Sequence, residues 1–252
     1  MASPDQTGTD LSNFALLNNI DHKDVRVITE RSAAYGDNVM FAMTFPFEFR
    51  SVQAHYPILF HRDSRGELYP VALFGFEDGD NLFLDESGWN ARYVPAMVRR
   101  QPFLIGFGAE TGQAGERSRM LSLDMDSPRV SKDRGQPLFE PLGGRTQFLE
   151  EMGALLETLY RGTEHSKEFV QALQEQGLIE SVTFDITLAD GSRNQLLGFF
   201  AINEEKLQGL SGETLGELSR KGFLMPLFMI LASTVNVGTL VELKNARLKG
   251  WA

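Results

Sequence analysis

The sequence contains no cysteine. That absence excludes disulfides, thiolate nucleophiles, Cys-ligated zinc and iron–sulfur clusters, while leaving the cellular compartment open. Positive charge is also scarce: 24 Lys and Arg stand against 34 Asp and Glu, a formal net charge of −10. Binding nucleic acid irrespective of sequence needs clustered cations to neutralise phosphates. The densest basic pairs, Arg99–Arg100 and Arg220–Lys221, are short and isolated, so no nucleic-acid partner is expected. Long apolar runs are missing too. The strongest, Phe223 to Ala232, is followed by Ser233, Thr234 and Asn236. A bilayer span needs about 20 apolar residues, so this run reads as a buried helix and no membrane insertion is expected. Met1 to Asp10 carries no Lys or Arg, and no apolar stretch follows it. No secretory leader is therefore expected, and the cytoplasm is the default location.

Several motifs are also absent. There is no Gly-x-Ser-x-Gly, which removes support for an elbow-type hydrolase. Gly106, Gly108 and Gly112 follow a strand-like segment but miss the dinucleotide spacing, and Gln113 to Arg119 is not an amphipathic crossover helix. A loop is the better reading there. Asp124, Asp126 and Asp133 lack the mid-loop Gly and terminal Glu of a calcium loop. Neither an internal repeat nor a low-complexity linker is found, and no cofactor is implied.

What the chain does have is phenylalanine: 19 Phe against 2 Trp, in a composition that is 42% hydrophobic. Such a chain can close a Phe-rich core, each buried ring contributing roughly 1.5–3 kcal/mol. Residues 1–22 are polar and read as a loose arm, ordered only if docked. Residues 23–252 read as one α+β domain, β-rich over 23–140 and helix-rich over 145–250, with Ser131 to Gly144 as the boundary. Val39 to Phe49, Tyr56 to Phe60, Tyr69 to Phe74, Asn81 to Leu84, Phe103 to Phe107 and Met120 to Asp124 are strand-like. Asp63-Ser64-Arg65-Gly66 suggests a hairpin turn. Phe148, Met152, Leu155, Leu156 and Leu159 make one helical stripe. Gly162 is expected to interrupt it before a second helix through Leu173. Val182 to Leu188 and Gln195 to Ile202 form another hairpin, and Asn203 and Ser211 cap further helices. The fold class expected is α+β, with a mixed or largely antiparallel sheet from the first half packed by helices from the second.

Several strings line up with a known pattern. His55-Tyr56-Pro57-Ile58-Leu59-Phe60, Pro70 to Gly75, Asn81 to Trp89, and Tyr93-Val94-Pro95-Ala96 with Arg99-Arg100 and Pro102-Phe103 follow in order. Glu175 to Ile179, Glu204 to Leu207 and Leu218 to Leu224 keep the later spacing. Over roughly residues 30–240 the chain resembles the bacterial SapC family. That resemblance implies an accessory role in export of surface proteins, or beside TonB-dependent receptors and flavin-dependent, halogenase-like enzymes. It implies no catalytic residue. His61-Arg62-Asp63 departs from the family pattern, so nothing built on that triplet follows from the resemblance.

Three constellations could carry chemistry. His61 and Asp63, with His165 far downstream, match a two-His–one-carboxylate iron site; the same residues also read as a hairpin turn and a helix start, which is the preferred reading. A denser cluster comprises His55, Tyr56, Asn81, Asp85, Glu86, Trp89, Tyr93, Arg99 and Arg100. Arginines that fix an anion and rings that supply contact area could hold a ligand or a protein partner. Alternatively, both arginines simply pair with Asp85 and Glu86 at a sheet edge, and His55 is a structural histidine. Phe223 to Ala232 reads as core or as a partner-binding helix. Two functions follow. One is a non-catalytic accessory protein that binds a flavoprotein, receptor or export component. The other is a small-molecule or peptide-modifying enzyme, an iron oxygenase using His61, Asp63 and His165.

Overall fold

A computed structural model describes residues 13–110 and 117–250. Residues 1–12 of the expected arm, and Gly112 of the glycine-rich loop, lie outside the described residues. The protein is α+β, and all its strand pairs are antiparallel among the described residues. It divides into two compact units, each assembled from separated stretches of chain: Met1–Thr29 with Arg100–Leu156, and Glu30–Arg99 with Glu157–Ala252. The units therefore do not follow a β-rich first half and a helix-rich second half.

In the first unit, Arg117–Asp124 pairs on one side with Phe103–Glu110 and on the other with Phe14–Leu16. Part of the stretch read as a loose arm is thus a strand, held because Phe14, Ala15 and Leu16 face Asp124, Leu123 and Ser122. The strands approach closely at Gly106, where an added Cβ would sit 2.2 Å from the Ser122 hydroxyl. Val25, Val27, Ile28, Phe103, Leu123 and Leu138 are buried here. Thr146 starts the helix Gln147–Glu175 by accepting the Leu149 N–H at 3.3 Å.

The second unit is built on a five-stranded sheet in the order Ile179–Thr187, Arg193–Ile202, Ile58–Arg62, Leu68–Leu73, Phe41–Met43. Each expected hairpin forms. They join where Phe199 and Phe200 pair with His61 and Phe60. The main sheet therefore draws strands from both halves of the chain rather than from the first alone. Ile58, Leu59, Phe60, Val71, Ala72 and Leu73 are fully buried, which explains their continuous apolar runs.

Two helical expectations change. The helix Gln147–Glu175 runs through Gly162 for 29 residues instead of breaking there. Gly162 is a point of close approach: a Cβ would lie 2.7 Å from the Phe47 ring. Downstream, Leu224–Ser233 and Asn236–Leu248 follow each other with only Thr234 and Val235 between. The combined Leu224–Leu248 stretch has 25 residues and a mean hydropathy of 1.8 over its most apolar window, long and apolar enough to cross a membrane. Polar Ser233 and Thr234 do not end the helical stretch, so it is not too short to span a bilayer, contrary to the expectation from sequence. In this fold its inner face packs Pro226, Leu227, Met229, Ile230 and Leu240, while Met225, Phe228 and Val235 are exposed.

Candidate functional site

The aromatic-rich run around Phe45-Pro46-Phe47 does not continue as a strand. It turns at Glu48 into one helical turn, Phe49–Val52, which delivers Tyr56 to the core. Tyr56 is fully buried, edge-on to Phe74 and Phe83 at 5.2 and 4.6 Å between centroids. Trp89, on the short hairpin of Leu84–Asp85 and Gly88–Trp89, donates its indole N–H to the Tyr56 hydroxyl at 2.7 Å. Tyr56 in turn donates to the Tyr93 backbone carbonyl. Tyr93 donates its own hydroxyl to Glu48 Oε2 at 2.7 Å, and the Ala96 N–H reaches the same oxygen at 2.9 Å. The Thr44 hydroxyl fills Glu48 Oε1 at 2.9 Å. Glu48 is 3% exposed, so these three donors stand in for water.

Glu48 is the residue that sequence reasoning missed. The available signal was a lone carboxylate inside an apolar, aromatic run, since a buried acid needs partners. Burial raises its pKa, and the bonds from Tyr93, Ala96 and Thr44 and the nearby Arg99 charge oppose that rise. Burial likewise raises the Tyr56 and Tyr93 hydroxyls, the latter further beside Glu48. Both phenols stay protonated and act as donors. His55, ring to ring with Tyr56 at 5.9 Å, has its pKa lowered by burial and by the Arg92 charge.

Tyr56, Trp89 and Tyr93 of the expected cluster are thus joined, with His55 beside them. Arg99 lies over the Tyr93 ring at 5.5 Å and is exposed. The others go elsewhere. Asn81 is buried, donating to the Asp37 carbonyl at 2.7 Å and accepting the Phe83 N–H at 3.0 Å, which pins its own loop. Asp85 closes a surface turn on the Ser87 N–H and hydroxyl at 2.7 and 2.6 Å, and these bonds lower its pKa. Arg100 belongs to the other unit, where it donates to the Phe103 carbonyl at 2.8 Å.

The iron-site reading finds no geometry. His61 sits on a strand with its Nδ1 3.3 Å from the Tyr69 hydroxyl, its ring packed by Phe41 and Phe199 at 4.9 and 5.2 Å. Asp63 closes the hairpin by accepting the Arg65 and Glu67 N–H groups at 2.9 Å; chiefly the Glu67 bond holds its pKa low. His165 lies on the long helix against Phe223, 5.5 Å between rings. No group of three His, Asp or Glu could hold a metal ion among the described residues.

A model of the SapC family matches residues 17–240. The chain belongs to the SapC family. No curated protein and no solved structure matches it. The SapC match spans every residue of the Glu48 network. Three of the strings that suggested SapC from sequence, His55 to Phe60, Asn81 to Trp89 and Tyr93 to Ala96, meet around Tyr56 and Glu48.

Proposed function

We propose that this SapC-family chain is a non-catalytic accessory protein of the cytoplasm. It binds a protein partner serving surface-protein export, TonB-dependent uptake or a flavin-dependent, halogenase-like reaction. The observation that carries this reading is the closure of the Glu48 network. Thr44, Tyr56, Trp89, Tyr93 and the Ala96 N–H are engaged with one another or with Glu48. A general acid or base must reach a substrate proton within hydrogen-bond distance, and this carboxylate is enclosed by its own donors. What faces outward is the rim of the network: half-buried His55 with exposed Arg92 and Arg99. On a chain of net charge −10, that local cationic patch suits an acidic segment of a partner, with Arg supplying charge-assisted hydrogen bonds.

In this reading Leu224–Leu248 is a packed element rather than a membrane anchor. Ser233 bonds the Ile58 N–H at 2.8 Å, and Lys244 and Arg247 reach Asp80 at 2.9 and 3.4 Å. The test is co-expression with flavin-dependent halogenase-like proteins and with receptor or export domains, followed by purification and cell fractionation. Stoichiometric association that falls at least tenfold in an Arg92→Ala, Arg99→Ala double variant supports the proposal. Multiple turnover of a small molecule by the isolated chain would overturn it.

A further inference from the structure

The helical stretch Leu224–Leu248 buries one side, through Leu227, Ile230, Ser233 and Leu240, and leaves the other uncovered. On that outer side Met225, Phe228, Ala232, Val235 and Thr239 are exposed. For Met225, Phe228 and Val235 the exposure is 60, 50 and 75%. Their spacing alternates three and four, the period that keeps one seam of a helix turned towards a second helix. The seam crosses the junction at Thr234 and Val235 unbroken, because both keep right-handed helical backbone, with φ of −62° and −57°. Apolar residues exposed singly are ordinary, but a contiguous row marks an interaction surface.

The row reads alike in both directions. Reversed on itself about Ala232, it sets Met225 opposite Thr239 and Phe228 opposite Val235, a larger side chain against a smaller one at each step. Ala232 then meets its own copy on the axis, where the two helices come closest. Charge follows the same symmetry. Exposed Lys221 stands just ahead of the helix, and exposed Glu242 continues the row beyond Thr239. In the reversed pairing each Glu242 arrives at the Lys221 of the other copy. It also arrives at a helix start that has no side-chain cap and no acid in its first turn, where a carboxylate is favourable. A lipid surface fits less well. Helices that lie in a membrane interface carry Lys and Arg on their polar flanks, whereas this row ends in Glu242, and Lys244 and Arg247 are held by Asp80 at 2.9 and 3.4 Å.

We infer that this row is a self-association surface, on which a second copy of the chain packs its own Leu224–Leu248 helix antiparallel across a two-fold axis at Ala232. Such an interface is isologous, with the same patch on both copies. A seam this narrow falls short of the roughly 20–30 residues a side of a standard interface, so the dimer is weak, with a Kd on the order of 10–100 µM.

Sedimentation velocity of the full chain across a range bracketing that Kd should show a monomer passing into a dimer as concentration rises. Phe228→Glu, at an exposed position, should weaken dimerisation by at least about tenfold and leave the melting temperature unchanged. Glu242→Lys and Lys221→Glu should each weaken it about fivefold by setting like charges together, and the two combined should restore it to within about threefold of the unaltered chain. Rescue requires these two residues to meet across the axis, so this comparison decides even if Phe228→Glu fails to fold. A chain that stays monomeric at every concentration, or a double variant that dimerises no better than the single ones, overturns the inference. So does a monomer that instead floats with phosphatidylcholine vesicles and loses that binding in Phe228→Glu, which would give the row to a lipid surface.

Discussion

Tyr93 donates its hydroxyl to Glu48 at 2.7 Å across 45 positions of chain. That bond fastens the Tyr-Val-Pro-Ala segment onto the turn that ends the aromatic run, with Glu48 as the shared acceptor. Removing the acceptor strands buried donors. Glu48→Ala leaves the Tyr93 hydroxyl and the Ala96 N–H unpaired and should destabilise the protein by about 3 kcal/mol. Glu48→Gln keeps one carbonyl oxygen for Tyr93 and Ala96 and an amide that can donate to Thr44, so it should change stability by less than about 1 kcal/mol. The pH dependence separates the two forms. The Glu48 pKa is raised above its ordinary value of 4.5, so the native state holds its proton over a window in which the unfolded chain has released it. Its contribution is fully present below the unfolded value and is lost as pH rises through the folded one. Glu48→Gln should remove that decline from urea unfolding curves taken at successive pH values. An unchanged slope would show that another group is responsible.

Trp89 and Tyr56 form the other arm of the network, and their bond can be isolated. Trp89→Phe removes the indole N–H but keeps a ring near Phe74, which Trp89 meets edge-on at 5.1 Å. It should cost about 1–2 kcal/mol, the hydrogen bond together with lost ring area. Tyr56→Phe removes both the acceptor for Trp89 and the donor to the Tyr93 carbonyl, and should cost about 2–3 kcal/mol. A double-mutant cycle on urea midpoints should give a coupling of about 1 kcal/mol. Additive losses would mean that this bond contributes nothing net.

Much of this fold was legible in the sequence, and the misses have specific causes. Buried strands announce themselves as short apolar runs bounded by turn residues, which located Ile58–Arg62 and Leu68–Leu73. The turn between them was marked by Gly66, whose φ of 87° favours glycine. Gly162 misled because a helix-interior glycine can mark either a break or a close approach, and only the position of Phe47 decides between them. The joining of two distant hairpins into one sheet leaves no local trace, since Phe199 and His61 signal nothing about each other along the chain. Within the candidate site, proximity in sequence grouped residues that the fold separates: Asp85 serves a surface turn while Trp89, four positions on, enters the core. Glu48 was overlooked because a single acid is informative only once its burial is known.

Ser233 ties the apolar helix to the main sheet. It is fully buried, accepts the Ile58 N–H at 2.8 Å and donates to the Ile230 carbonyl at 2.6 Å. Ser233→Ala leaves the Ile58 amide without an acceptor inside the core and should cost about 2 kcal/mol. Native-state hydrogen exchange provides a local check, because the Ile58 amide should lose protection while Leu59, bonded within the sheet ladder, keeps it relative to the global stability. Equal loss at both positions would indicate general destabilisation instead of a broken tie.

The separate surroundings of His61, Asp63 and His165 lead to a prediction about metal. Each of these side chains is already engaged locally. His61 contacts Tyr69 within an aromatic packing layer, Asp63 closes its own turn, and His165 packs on Phe223. Gathering them around one ion would require breaking the hairpin turn and lifting a ring out of its packing. A structural metal site contributes strongly to folding, and chelators unfold proteins that depend on one. Excess chelator should therefore leave the melting temperature within about 1 °C of the untreated protein, because no binding free energy is removed. His61→Ala should lower stability through lost packing, by about 1–2 kcal/mol, equally with and without chelator. A melting temperature that falls with chelator in the unaltered protein but not in His61→Ala would place a metal on this histidine and restore the oxygenase reading.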